Sequence, residues 1–339
     1  MRVDQAVETT ERAGGLRLLL RGVGVAVVGG PLLLLVGTVA MVLGPDLLFR
    51  LDTPALAAWR TVFAAIVVQG LPFLLFGTLI SAAISAFVPA STLNRLLPRR
   101  PLLAVPVAGA AGAVLPGCEC ASVPVAGSLM RRGVAPAAAL TFLLSAPAVN
   151  PVVLVATAVA FPGNPQMVLG RLIASLLVAV ITGWLWIGLG KQEWLRLPKG
   201  VDREDARKWA AFRDGLQHDF LHAGGFLIVG AMAAATFNVA APPALLESLS
   251  GNPWLSVLAL AGLAVLLAVC SEADAFVAAS LTGFSPTARL AFMVVGPVVD
   301  VKLIALQAGT FGRAFALRFS AATFVVAVLS SFVVGWWLL

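Results

Sequence analysis

The sequence predicts an all-α polytopic membrane protein made of two copies of one unit, and three observations lead to this fold class. Hydrophobic residues make up 60% of the chain and charged residues only 12%, whereas roughly a quarter of the residues in soluble domains are charged. Nine apolar runs follow one another along the chain. Residues 120–149 also align without a gap on residues 270–299, so the chain contains an internal duplication.

The duplication is supported by identical residues at a constant offset of 150. They are Cys120/Cys270, Gly133/Gly283, Pro136/Pro286, Ala138/Ala288, Leu140/Leu290, Phe142/Phe292, Pro147/Pro297 and Val149/Val299. Upstream, the match continues at an offset of 153 through Phe73/Phe226, Leu74/Leu227, Gly77/Gly230 and Pro89/Pro242. The two stretches together indicate that a whole unit was duplicated rather than a single motif.

Each apolar run is a candidate membrane helix, and several reach the roughly 20 residues that a span requires. The runs lie at about 16–43, 62–88, 102–130, 135–160, 168–190, 220–245, 253–282, 286–309 and 315–339. The first run follows an arginine-rich N-terminus and is longer than the roughly 7–15 residues of a signal-peptide core. We therefore predict a retained N-terminal span within residues 1–55.

The distribution of Lys and Arg favours two re-entrant hairpins over nine full spans. If all nine runs cross and the N-terminus is cytoplasmic, ten Lys/Arg lie inside and twelve outside. If 102–133 and 253–283 are instead helical hairpins that enter and leave on one side, eighteen lie inside and four outside. Because short cytoplasmic loops are enriched in Lys and Arg, we predict the hairpin arrangement, with the N-terminus and the loop 191–218 in the cytoplasm.

The hairpins divide the chain into two repeats that follow the N-terminal span. Repeat one covers residues 56–190 and repeat two covers residues 219–339, with the loop 191–218 between them. Each repeat then has three full spans, which is an odd number, so the second repeat is inserted upside down. Transporters with inverted repeats bind their substrate near the bilayer midplane, where broken helices meet. We expect a multi-pass protein of the plasma membrane.

Proline and glycine mark the expected breaks in these helices, because proline lacks a backbone donor and glycine tolerates tight turns. The predicted breaks are Pro116, Gly117, Pro147, Pro151, Gly296 and Pro297. Irregular backbone at membrane depth is tolerated only where it is buried in protein or lines a wet cavity. The breaks therefore predict where a solute route lies.

Two cysteines flank a carboxylate at the expected tip of the first hairpin. Cys118 and Cys120 lie at the start of a half-helix, where the helix dipole favours a thiolate. Glu119 adds a hard oxygen ligand between two soft sulfur ligands, so the three residues form a candidate metal site of mixed character. The alternative is that the small, apolar cysteines only pack a tight turn.

Charged residues within the apolar runs of repeat two are candidates for a proton or ion relay. Asp274, Asp300 and Lys302 are assigned to this role, since charges at membrane depth require a cavity, a proton or a partner. Lys302 is interpreted as the one cation at this depth. Because residues two apart point to different faces of a helix, we expect Lys302 to face Glu272 or Asp274 rather than Asp300. The alternatives are a static ion pair and snorkelling of Lys302 to the interface.

Seven residues are predicted to contact the solute. They are Cys118, Glu119, Cys120, Ser122, Asn150, Cys270 and Glu272. Asn150 is included because prolines flank it at a helix break, and Asp300 is its counterpart in repeat two. No catalytic residue and no cofactor is predicted.

Residues 116–124 read Pro-Gly-Cys-Glu-Cys-Ala-Ser-Val-Pro and resemble the Pro-X-Cys-X-Cys-X-X-X-Pro signature of the ArsP-type predicted permeases. Residues 147–151, Pro-Ala-Val-Asn-Pro, resemble the second motif of that family. The resemblance extends over residues 60–339 and implies a permease that exports trivalent organoarsenicals from the cytoplasm. The positions that differ from the arsenical-exporting pattern Thr-Pro-Phe-Cys-Ser-Cys-Ser are Gly117, Glu119 and Ala121.

The function predicted from these patterns is a secondary, proton-coupled permease that exports a small soft solute, such as a trivalent organoarsenical or another soft metal or metalloid species. A divalent metal cation is the alternative substrate, because four intramembrane carboxylates accompany one lysine. A membrane thiol oxidoreductase that uses Cys118 and Cys120 is an alternative of another class, although Cys-X-Cys is not the Cys-X-X-Cys redox spacing.

The remaining expectations concern partners. No Walker A motif occurs in the sequence, so any ATP would be used by another chain. The Lys and Arg residues form no continuous basic face that could bind a nucleic acid. Membrane lipid is expected to surround the protein. The loop 191–218 is a candidate docking site for a partner protein.

Overall fold

The computed structural model describes residues 54–88, 98, 100–113, 119–196, 208–240 and 253–339. Within these residues the chain is all-helical and contains no strand, which confirms the predicted fold class. The predicted N-terminal span at 16–43 lies outside the described residues. So do Pro116, Gly117 and Cys118 at the tip of the first hairpin.

Twelve α-helices occur in the described residues. They are α1 (Pro54–Phe87), α2 (Pro101–Gly112), α3 (Glu119–Arg131), α4 (Pro136–Val149), α5 (Pro151–Ala160), α6 (Pro165–Leu189), α7 (Lys208–Ala240), α8 (Pro253–Leu267), α9 (Asp274–Ser280), α10 (Pro286–Val295), α11 (Val301–Phe311) and α12 (Arg313–Leu338). Many begin with proline, which suits the first helical position because its missing N–H is not needed there.

The order of these helices is the same in the two copies. A long helix is followed by two short ones, then by a helix broken in the middle, then by a second long helix. The broken helix is α4 with α5 in the first copy and α10 with α11 in the second. That the second copy is inserted upside down remains a prediction.

Five stretches of the described residues are long and apolar enough to cross a membrane. They are Pro54–Phe87, Pro136–Ala160, Pro165–Leu189, Phe212–Thr236 and Arg313–Leu338. The helices at the predicted hairpins are shorter. α2 has 12 residues, about 18 Å at 1.5 Å per residue, whereas the hydrocarbon core is about 30 Å thick. Neither arm of the first hairpin is therefore long enough to span alone.

Hairpin one, which consists of α2 and α3, has antiparallel arms. Gly109 of α2 lies against Thr141 of α4, and Gly112, one turn later, lies against Ser145. α2 and α4 therefore run in the same direction. α3 packs against α4 and is joined to it by residues 132–135 alone, so it runs the opposite way. The arrangement is that of a hairpin, and entry of its tip into a membrane remains a prediction.

Hairpin two consists of α8, the non-helical residues 268–273 and α9. In each copy the first helix of the hairpin packs against the first half of the broken helix, α2 against α4 and α8 against α10. Packing between the copies is reciprocal, because α11 packs against α3 and α5 packs against α9. The start of α3, the tip of hairpin two and the breaks in the helices therefore share one interior.

One predicted break is wrong. α4 continues through Pro147 to Val149, and the break follows at Asn150, so Pro151 is the first residue of α5. Proline inside a membrane helix is tolerated where neighbouring groups satisfy the carbonyl that it frees. Internal prolines also occur in α1 (Pro72), α2 (Pro106) and α3 (Pro124).

The non-helical break in the second broken helix is longer than the break in the first. Gly296 and Pro297 lie in the residues between α10 and α11, and α11 starts only at Val301. Gly296 ends α10 as its C-cap. The backbone groups of residues 296–300 are thus outside regular helix at the centre of the second copy.

The loop predicted at 191–218 is shorter than expected. A 3₁₀ turn at Gln192–Trp194 follows α6, and α7 already begins at Lys208. Residues 197–207 lie outside the described part. A later start was expected because the apolar run begins only near residue 220, yet charged residues such as Lys, Arg and Glu form helix readily.

Close packing of hairpin one on α4 gives a stability prediction. A Cβ on Gly112 would collide with the Ser145 side chain and would lie 2.7 Å from the backbone nitrogen of Ala146, whereas a Cβ on Gly188 would meet nothing within 4 Å. We expect Gly112→Ala to lower the free energy of unfolding in detergent by about 1–3 kcal/mol through overpacking. Gly188→Ala is the control and should not destabilise. Equal stability of the two variants would contradict the packing described.

Candidate functional site

A buried ion pair joins the start of hairpin one to the second broken helix. The Lys302 ammonium nitrogen donates to Glu119 Oε1 at 2.5 Å. Glu119 is the first residue of α3, and Lys302 is the second residue of α11. Both side chains are only 1% exposed. The pair therefore connects the two copies at a point that water does not reach in this conformation.

Lys302 has further partners at the tip of hairpin two and at the helix break. Its Nζ lies 3.6 Å from Asp300 Oδ2, 3.4 Å from the carbonyl oxygen of Ala268 and 3.9 Å from Cys270 Sγ. Ala268 has φ of 49°, a left-handed conformation that is uncommon for a residue with a Cβ. Strained backbone of this kind tends to occur at functional sites, and here its carbonyl faces the ammonium group.

Asp300 reaches Lys302 because it lies just outside the helix. It has an extended backbone and caps the N-terminus of α11, where Oδ1 accepts from the backbone N–H of Leu303. Asn150 caps α5 in the same way and accepts from the N–H of Val153 at 3.0 Å. The two residues occupy equivalent places in the two copies. The expectation that Lys302 and Asp300 point apart is wrong, because the helical face rule does not apply to a capping residue.

A second buried ion pair is centred on Arg171 of α6, which the sequence analysis did not identify. Its guanidinium donates to Asp274 Oδ2 at 2.7 Å, to the carbonyl oxygen of Ser271 at 3.1 Å and to Thr157 Oγ1 at 2.9 Å. Arg171 is 0% exposed and Asp274 1%. Ser271 and Asp274 belong to hairpin two and Thr157 to α5, so this group also spans the copies.

The partner predicted for Lys302 is therefore corrected. Lys302 pairs with Glu119 rather than with Glu272 or Asp274, and it is not the one cation at this depth, since Arg171 holds Asp274. Arg171 lies at the start of an apolar run, and an arginine in such a position usually marks the end of a membrane span. Its position three residues inside the predicted span 168–190 was the available signal.

The two described cysteines belong to the two hairpins. Cys120, in the first turn of α3, is completely buried, and a Cβ on Gly70 would lie 3.8 Å from its sulfur. Cys270, its equivalent in the second copy, is 4% exposed. Both are thiols rather than disulfide sulfurs, and the Cys270 sulfur lies 3.9 Å from the Lys302 ammonium nitrogen. Of the predicted contact residues, Cys270 is thus beside the buried cation, and Cys120 follows Glu119, which that cation holds.

Two other predicted contact residues have different surroundings. The hydroxyl of Ser122 donates to the carbonyl oxygen of Glu119 at 3.0 Å, within the first turn of α3. Glu272 lies on the non-helical tip of hairpin two, where its Oε2 has no hydrogen-bond partner among the described residues. Ser122 therefore supports the backbone of α3, while Glu272 keeps an acceptor available.

Acidic groups outnumber basic groups in the buried cluster. Among the described residues, Glu119, Asp274 and Asp300 face Lys302 and Arg171. Glu119 Oε2 and Asp274 Oδ1 have no hydrogen-bond partner in the described part of the chain. An uncompensated carboxylate is costly in an apolar interior, so the cluster favours binding of a proton or another cation.

The predicted metal site is only partly within the described residues. Cys118 lies outside them, while Glu119 is engaged by Lys302. Among the described residues, no group of three His, Cys, Asp or Glu side chains is arranged to hold a metal ion. A metal site formed by Cys118, Glu119 and Cys120 therefore stays a prediction.

Comparison with known proteins covers nearly the whole described chain. A family model described as "Predicted permease" matches residues 55–336. The chain is 30% identical over 283 residues to a Streptococcus mutans serotype c protein named "Putative two-component membrane permease complex subunit", covering 81% of this chain and 94% of that protein. It is 31% identical over 277 residues to "UPF0718 protein YcgR" of Bacillus subtilis strain 168, covering 80% and 94%. No solved structure matches the chain.

The Glu119–Lys302 pair is expected to show strong energetic coupling. Lys302→Met leaves buried carboxylates without their cation and should lower the free energy of unfolding by about 3–5 kcal/mol. Adding Glu119→Gln should recover part of that loss. The measurement is a double-mutant cycle of unfolding in detergent.

The control cycle uses Arg131→Gln and Asp219→Asn. This pair, at 3.1 Å, has side chains that are 17% and 16% exposed, so we expect a smaller coupling, nearer the roughly 0.2–1 kcal/mol of exposed pairs. Additive effects of the Lys302 and Glu119 substitutions would show that the two side chains do not stabilise each other.

Proposed function

Because the chain belongs to the ArsP-type family of predicted permeases, we propose that it is a secondary, proton-coupled exporter of a small soft solute such as a trivalent organoarsenical. The protein would lie in the plasma membrane with its N-terminus in the cytoplasm. The solute would bind between the two hairpins, where the chain breaks its helices.

The observation that carries this proposal is a pair of buried thiols at the Glu119–Lys302 ion pair, because Cys270 lies 3.9 Å from the Lys302 nitrogen and Cys120 follows Glu119 in α3. Thiols are soft ligands and favour soft metal and metalloid centres. Cys120 belongs to hairpin one and Cys270 to hairpin two, so a solute held by both sulfurs would contact both copies at once. The thiolate is the form that binds such centres.

Proton coupling is supported by the excess of carboxylates in the same cluster. A proton on Glu119 would neutralise the carboxylate that holds Lys302. The ammonium would then be free to move towards Asp300, at 3.6 Å in the present conformation. Binding of the proton would thereby change the contact between hairpin one and α11, which is what a coupled transporter requires.

A divalent metal cation is the second candidate substrate. It is favoured by one carboxylate oxygen each of Glu119, Glu272 and Asp274 that has no hydrogen-bond partner among the described residues, since carboxylate oxygens suit hard cations. The relative from Streptococcus mutans is named as a subunit of a two-component complex. We infer that a partner chain binds this protein too, and the segment 191–218 is the proposed docking site.

Transport into inside-out proteoliposomes tests the soft-solute proposal. We expect uptake of a trivalent methylarsenical by the wild type and at least a tenfold loss in Cys120→Ser and in Cys270→Ser. The reason is that each variant removes one of the two proposed sulfur ligands. Zinc uptake is measured in parallel with the same preparations.

The control is Ser85→Ala, which changes a small polar side chain outside the cluster and should transport like the wild type. Uptake of the arsenical that is unaffected by either cysteine substitution would refute the thiol site. Uptake of zinc alone, unaffected by loss of the thiols, would favour the divalent cation as the substrate.

Glu119→Gln tests proton coupling, because it keeps the shape of the side chain and removes its ionisation. We expect this variant to exchange solute down a gradient but to lose proton movement coupled to it. The measurement is the internal pH of proteoliposomes, recorded with a trapped dye during solute flux. Asp219→Asn, which neutralises a partly exposed carboxylate, should behave like the wild type. Proton movement that persists in Glu119→Gln would exclude Glu119 as the coupling residue.

A further inference from the structure

We propose that Arg171 is a positioning residue that holds hairpin two against the first copy. Its hydrogen bonds to Thr157, Ser271 and Asp274 are called the clamp here, and we propose that hairpin two moves when they break. The inference rests on the proposed function, because a permease has to expose its binding site to each side of the membrane in turn. It assigns a role to a buried arginine that does not touch the proposed thiol site.

The first argument is the geometry of the guanidinium. Its three hydrogen bonds go to three different elements: the carbonyl of Ser271 in the tip of hairpin two, the carboxylate of Asp274 in α9, and the hydroxyl of Thr157 in α5. The planar fork of an arginine can serve such a set, whereas a lysine ammonium is a compact point charge. Arg171 therefore fixes both the backbone and a side chain of the tip.

The second argument is the position of the clamp relative to the broken helix. Asp274 Oδ2 lies 3.9 Å from the place where a Cβ on Gly296 would stand. The clamp is therefore in contact range of the break between α10 and α11. Movement of the tip of hairpin two would change the surroundings of that break and of Cys270, which is in the same tip.

The third argument is that hairpin one has a matching connection. Glu119 at the start of α3 is held by Lys302 of the second copy, and Asp274 at the start of α9 is held by Arg171 of the first copy. Each hairpin is thus tied by an ion pair to the copy to which it does not belong. Two separate ion pairs allow one hairpin to be released while the other stays in place.

Labelling of Cys270 by a maleimide tests the clamp. The full-length chain carrying Cys118→Ser and Cys120→Ser retains Cys270 as its single thiol, because the sequence has three cysteines. Into this chain we introduce Arg171→Gln with Asp274→Asn, which releases the clamp without leaving one buried charge unpaired. We expect the labelling rate of Cys270 in proteoliposomes to rise at least tenfold.

Two controls separate release of hairpin two from general loosening. Arg131→Gln with Asp219→Asn removes another ion pair between the copies, at 3.1 Å, and should leave the labelling of Cys270 unchanged. In a chain whose single thiol is Cys120, neutralising Arg171 and Asp274 should leave the labelling of Cys120 unchanged. An unchanged rate at Cys270, or an equal rise at both cysteines, would overturn the proposal.

Arg171→Lys provides a second test if the neutralised pair does not fold. Lysine keeps the charge but cannot reach all three acceptors, so we expect at least a threefold rise in the labelling of Cys270. No rise would overturn the clamp. Selective labelling of Cys270, together with no transport of any solute by the wild-type chain, would leave the clamp standing and refute the proposed export. Thiol-dependent export by the wild-type chain, together with unchanged labelling of Cys270, would leave the export standing and refute the clamp.

Discussion

A charge in an apolar interior costs several kcal/mol unless an opposite charge meets it at close range. Among the described residues of this protein, the two most deeply buried cations, Lys302 and Arg171, are each met by a carboxylate of the other copy. The packing of the hairpins follows from this requirement. The start of α3 has to reach α11, and the start of α9 has to reach α6, which brings the starts of these two helices to the centre.

The interrupted helices serve the same requirement. A continuous helix presents only side chains, whereas a helix that stops at the centre also offers capping positions and free carbonyls. Asp300 faces Lys302 only because it caps α11 from an extended backbone, and the carbonyl of Ala268 faces the same ammonium from a non-helical tip. The ion pair, the capping carboxylate of Asp300 and the carbonyl of Ala268 together form a polar centre in an otherwise apolar interior.

Much of this architecture was predictable from the sequence. The apolar runs identified the long helices, and the duplication identified Asn150 and Asp300 as equivalents. The partners of the charges were not predictable, because ion pairs between positions far apart leave no periodic pattern in the sequence. Hydropathy places Arg171 at the end of a span because it does not show that another helix supplies a carboxylate for it. Proline predicts a break at Pro147 because the sequence does not show that neighbouring groups can satisfy the carbonyl that it frees.

The long sequence separation of the ion pairs affects how the protein is made. Glu119 precedes Lys302 by 183 positions and Arg171 precedes Asp274 by 103. At roughly 5–20 residues per second, a ribosome needs about 10–40 s to reach Lys302 after Glu119 has been synthesised. During that interval Glu119 has no partner from the second copy, and Arg171 waits about 5–20 s for Asp274. Until the C-terminal helices emerge, the Glu119 carboxylate therefore needs water, a proton or another protein as its partner.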